Sequence, residues 1–143
     1  MQHQVKVLEL TADEASKLWP YLRNLLVNAD VFTPIKNEEQ YTKILNKILT
    51  GFVRILSCYD KEDRIVGFFL VYPDIDLLTD ELRLFVYFAF GVQDLSIDIW
   101  QAVVDKVSEA ARKIGCGSVY TYSSENGLGQ VFSKNMKLLW KEI

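Results

Sequence analysis

The sequence predicts an α+β domain of three layers, a mixed sheet with helices on both faces, in the order β-α-α-β-β-β-α-β-α-β. Three observations predict it. Residues 52–90 hold three strand-like apolar segments joined by two short polar connections, the pattern of an antiparallel meander. Residues 96–114 carry one apolar stripe at helical spacing and end at Gly115. A segment rich in β formers follows at 118–122, so a right-handed helical crossover should set the fifth strand parallel to the fourth. The chain has 143 residues, a common size for one domain, with no repeat or linker. A single domain over residues 1–143 is therefore expected.

Each element has a local reason. Residues 5–10 alternate and carry Val5 and Val7, which reads as a strand. Thr11 and Glu14 form a capping box at the start of a helix bearing Ala15, Leu18, Leu22 and Leu25. Pro20 should kink or divide that helix. Asn37 with Gln40 starts a second helix, with Tyr41, Ile44, Leu45 and Ile48 on one face and Gly51 as its left-handed terminator. Strands are expected over 52–59, 64–72 and 81–90, separated by a charged turn at 60–63 and an acidic loop at 73–80. In the next helix, Trp100, Val104, Val107 and Ile114 should face the sheet, while Asp105 and Glu109 face solvent. A short helix over 126–135 and a last strand over 137–143 complete the order.

Composition removes several function classes. Hydrophobic residues make up 50% and charged residues 24%, which excludes a disordered or fibrous chain. Net charge is -3, so no basic surplus exists to neutralise phosphates and no nucleic-acid partner is expected. His3 is the one histidine and Cys58 and Cys116 the two cysteines. That argues against His-based metal sites, Ser-His or Cys-His chemistry and a disulfide framework. No metal is expected. A polar N-terminus and strand-sized apolar runs predict no membrane span and a cytoplasmic location.

The element order resembles the GNAT family of N-acetyltransferases over nearly the whole chain. Local cues carry it further: Ile65-Val66-Gly67-Phe68 looks like the family's third strand, Ala111 to Gly115 resembles the end of its third helix, and Asn126 stands where an Asn often opens its fourth helix. In that family, strands four and five splay and hold acetyl-CoA between them. The resemblance therefore implies that Phe88, Ala89 and Phe90 would offer backbone amides to the pantetheine. Gly91 and Ser96 would flank the diphosphate.

The signature residues depart from the family's pattern. Its diphosphate loop reads R/Q-x-x-G-x-G/A. Alignment puts Gly91 at the Arg/Gln position, Asp94 at the first Gly and Ser96 at the last small residue. Asp94 adds a Cβ and a charge where small residues let amides approach a diphosphate, and Asp98 adds a second charge. Asp94 and Ser96 also suit helix N-capping. The family's Tyr, a proton donor to the leaving thiolate, falls on Phe132 or Ser133. Tyr120 and Tyr122 are the remaining phenols near that site, and Glu81 is the candidate base toward an amine.

Asp74, Asp76, Asp80 and Glu81 otherwise read as a solvated loop, and the two cysteines as packed small side chains. Phe85, Tyr87, Phe88 and Phe90, with Phe68, Phe69 and Tyr72, make an aromatic surface suited to an acyl channel, to a protein partner or to self-association. Two functions compete. One is a divergent GNAT-fold module without catalysis, with no cofactor expected. Small forms of this fold resemble bacteriophage proteins, so a phage origin, in host cytoplasm or virion, accompanies that reading. The alternative is an atypical acetyl-CoA-dependent N-acetyltransferase.

Overall fold

The computed structural model describes residues 5–28, 35–91 and 96–121, with backbone only over 88–91. The helix expected at 126–135, the strand expected at 137–143, and Asp94, Tyr122, Phe132 and Ser133 lie outside the described residues.

The described chain runs β1 (Lys6–Glu9), α1 (Ala12–Val27), α2 (Glu38–Leu49), β2 (Arg54–Tyr59), β3 (Ile65–Ile75), β4 (Leu82–Gly91), α3 (Ile97–Ile114) and β5 (Ser118–Tyr120). The strands form one sheet in sequence order. β1 to β4 pair antiparallel, and β5 lies parallel to β4. The mixed sheet is the predicted one.

Two cores sandwich it. On one face α3 buries Trp100, Val103, Val104 and Val107 against Leu56, Phe69, Val71, Leu84 and Val86. On the other, Ala15, Leu22 and Leu26 of α1 and Ile48 of α2 cover Ile55, Phe68 and Leu70. Alternation along the pleat explains the division: Phe68 and Leu70 point one way, and Phe69 and Val71 the other. Each large side chain buried this way contributes roughly 1.5–3 kcal/mol. Among the expected stripe residues, Trp100, Val104 and Val107 are buried; Ile114 is half-buried at the edge of the same core.

The caps are those read from the sequence. Thr11 and Glu14 bond each other's backbone amides at 3.1 and 3.0 Å. Asn37 accepts from the Gln40 amide at 3.0 Å. Ser96 caps α3, and Gly115 closes it with φ of 97°. At that angle any Cβ would be strained.

Three expectations are corrected. α1 is not divided: it runs through Pro20 as one helix. Pro20 is exposed, so the carbonyl it leaves without a donor faces water, and Ala15, Leu22 and Leu26 pin both halves to the sheet. β3 continues to Ile75, taking in Pro73 and Asp74, which the sequence reading placed in a loop. β2 reaches only as far as the Arg54–Val71 pair, so Pro73 lies beyond it, where a missing donor disrupts no β2–β3 bond. The acidic loop shrinks to a turn in which Asp76 Oδ1 accepts from the amides of Leu78 and Thr79 and from the Thr79 hydroxyl. β5 ends at Tyr120, two residues early.

Trp100 is almost wholly buried, its ring 6.0 Å from that of Phe69. Trp100→Ala is expected to cost about 3–5 kcal/mol, read from denaturant unfolding; an unchanged midpoint would show that α3 does not pack through this residue.

Candidate functional site

The site begins where β4 and β5 part. Their parallel ladder has three pairs, Arg83 with Ser118, Leu84 with Val119 and Phe85 with Tyr120. Beyond Phe85, β4 continues six residues to Gly91, still paired with β3. Its register against β3 also slips: Leu70 opposes Phe88 and Val71 opposes Val86, so Tyr87 is an extra residue. Such a bulge bends a strand and increases its twist. Thr121 then closes the ladder with a side chain, its hydroxyl donating to the Val86 carbonyl at 2.9 Å. Among the described residues, the β4–β5 ladder has no pair beyond Phe85–Tyr120.

A cluster of polar and aromatic groups sits at the root of this cleft. Asp74 on β3 stands opposite Arg83 on β4. Asp74 Oδ2 accepts from Arg83 Nη2 at 3.0 Å and from the Tyr120 hydroxyl at 2.5 Å. Arg83 Nη1 is 3.4 Å from Asp76, and its guanidinium lies 4.5 Å from the centre of the Tyr120 ring. Arg83 Nε is buried without a partner. Phe85 packs on Tyr120 with centroids 4.8 Å apart, and Tyr72 and Tyr87 extend the aromatic wall on the face shared with α1 and α2.

The charges follow from these contacts. The Tyr120 hydrogen bond, more than the Arg83 guanidinium, holds the Asp74 carboxyl below its ordinary range. Backbone bonds from Thr79 and Leu78 do the same for Asp76. Both are anionic at neutral pH, against one guanidinium. Burial, and then the bond to Asp74, pushes the Tyr120 phenol up. Its proton is committed to a carboxylate, which makes it a poor donor to a departing thiolate.

The remaining sequence candidates are placed unequally. Phe88, Ala89, Phe90 and Gly91 form the released stretch of β4. Ser96 caps α3, accepting from the Ile99 amide at 3.3 Å, so its side chain occupies one first-turn amide. Glu81 is exposed at the opposite end of β4, where a Cβ on Gly117 would meet its carboxylate at 2.9 Å. Val86 lies five positions further along, about 17 Å away in an extended strand. Phe68 and Phe69 are buried beneath helices, and Phe85 is buried among Tyr72, Tyr87 and Tyr120. Burial pushes the Cys58 thiol up to about 12 and raises Cys116 too, leaving both un-ionised at neutral pH. Asp74, Arg83 and Thr121 were missed as site residues; an Arg inside an apolar strand, two positions before an aromatic, was the available signal.

A groove of about 580 Å³ beside β1 and α3 is lined by Lys6, Lys61 and Lys106 together with Asp60, Asp63, Asp105 and Glu109. Its charges nearly cancel, so it selects no anion. Among the described residues, no group of His, Cys, Asp or Glu is arranged to hold a metal ion, and no helix is long and apolar enough to cross a membrane.

No protein-family model matches the chain, and no curated protein matches it by sequence. Solved structures do match in fold. A predicted acetyltransferase with acetyl-CoA from Clostridium acetobutylicum aligns over 98% of this chain and 96% of its own, with TM-score 0.67 and 11% identity. A ribosomal-protein-alanine N-acetyltransferase from Brucella melitensis gives the same coverages, TM-score 0.63 and 13% identity. A glucosamine-6-phosphate N-acetyltransferase from Arabidopsis thaliana covers 98% of both chains, with TM-score 0.62 and 14% identity.

Asp74 supplies a pH prediction. Its folded pKa is depressed, so its stabilisation is present above the unfolded carboxylate value and is lost as pH falls through the folded one. The melting temperature of the wild type should fall between about pH 5 and 2 more steeply than that of Asp74→Asn. Parallel curves would show that Asp74 is unpaired in solution.

Proposed function

The chain has the GNAT fold, and from that premise we propose that it binds a CoA thioester in the β4–β5 cleft and transfers the acyl group to an amine. One observation carries the reading: the β4–β5 ladder has no described pair beyond Phe85–Tyr120, while β4 stays paired with β3 as far as Gly91. A pantetheine arm carries amides that can pair with such an edge as a strand would. Acetyl-CoA in the Clostridium acetobutylicum neighbour supports this choice of ligand.

In the transfer, the amine nitrogen attacks the thioester carbonyl carbon, a C–N bond forms and the C–S bond breaks. The amine gives up a proton and the thiolate takes one. Phe88, Ala89 and Phe90 supply amides along the cofactor. Asp74 and Asp76, partly exposed and outnumbering Arg83, draw a cationic amine to the aromatic face.

A second reading, a binding module without catalysis, is supported by Ser96 occupying an α3 amide and by Asp94 at a small-residue position. The phage origin and virion location expected with it draw no support from structural neighbours that are named as acetyltransferases.

Calorimetry with acetyl-CoA separates the two. Micromolar binding is expected, and Asp94→Gly should tighten it by relieving repulsion toward the diphosphate. Absence of heat at millimolar acetyl-CoA would sink the enzyme reading and leave the module.

A further inference from the structure

The cleft has a built-in brace. Among the described residues β5 pairs with β4 at three positions, a thin attachment for a strand beside the proposed binding edge. Side chains add to it. Tyr120 occupies the last pair before the strands part. Its hydroxyl crosses β4 to reach Asp74 on β3, its ring is covered by Arg83, and its other neighbour is Phe85. Arg83 joins the same carboxylate from β4. Three strands are thus tied through one oxygen, Asp74 Oδ2, immediately before the opening. Thr121 and Val86 follow as the final tie.

We infer that Tyr120, through its hydrogen bond to Asp74 and its stack on Arg83, is a positioning residue that fixes where the β4–β5 ladder ends. It thereby sets how far along β4 the proposed binding edge extends. The link is mechanical: with the bond lost, the Phe85–Tyr120 pair can open and the ladder shortens toward Arg83. The thioester-binding consequence rests on the function proposed above; the brace itself does not.

The test uses the full chain and Tyr120→Phe, which keeps the ring and removes the hydroxyl. Hydrogen exchange of the peptide spanning 118–121 should quicken about tenfold, the scale for a bond to a charged acceptor. Asp74→Ala should act on the same peptide, and the double variant should be no faster than the quicker single one, because both remove one link. Ile55→Val, which lowers stability from the other core, should leave the ratio of exchange at 118–121 to that of the remaining sheet unchanged. In parallel, acetyl-CoA Kd should rise several-fold in Tyr120→Phe and not in Ile55→Val. Unchanged exchange in Tyr120→Phe, or additive effects in the double variant, would overturn the brace. If the wild type binds no acetyl-CoA, the functional reading fails while exchange alone still decides the brace. If it binds equally well with and without the hydroxyl despite faster exchange, the claim that Tyr120 sets the cleft is overturned.

Discussion

β4 belongs to two partners at Arg83, Leu84 and Phe85 and, among the described residues, to β3 alone over the rest. The change happens between Phe85 and Tyr87, within three residues. A continuous sheet would bond the amides of β4 alternately to both neighbours along its whole length. Here the bulge bends the strand, and β5 is fixed at its start by the turn after α3. The Gly117 amide bonds the Leu82 carbonyl at 2.9 Å, and Gly115 turns the chain back through a left-handed conformation. These anchors fix the beginning of β5 and leave its end to side chains. Most other features serve that geometry. α3 packs Trp100 and Val107 under the same strands, and α1 and α2 hold the opposite face.

Much of this was legible in the residues. The stripe from Trp100 to Val107, the caps at Thr11, Asn37 and Ser96, and the left-handed stop at Gly115 are local signals that need no tertiary context. The order of elements then determined the sheet, since short connections leave few alternatives for neighbouring strands. The parallel placement of β5 came from the length of the crossover alone.

What was not legible depends on partners far apart in sequence. Pro73 and Asp74 read as a loop because Pro and Asp disfavour strands. They join β3 because β4 continues opposite them after β2 has stopped. Asp74 and Tyr120 lie 46 positions apart, and no spacing rule links them. Glu81, chosen as a base for its place beside strand four, precedes the start of that strand; a sequence position near a strand does not say which of its ends a side chain serves. Pro20 failed as a breaker because burial of Leu22 and Leu26 outweighs one lost bond at an exposed turn.

The central claim is that the released edge of β4 is where a CoA thioester binds. Amide chemical-shift mapping with acetyl-CoA tests it most directly, because it reports which backbone groups meet the ligand. The account predicts shifts concentrated at Val86 to Gly91 and Val119 to Thr121, with β1 and the residues lining the charged groove beside α3 unmoved. Shifts centred on Lys6, Asp63 and Lys106 instead, with β4 silent, would contradict it.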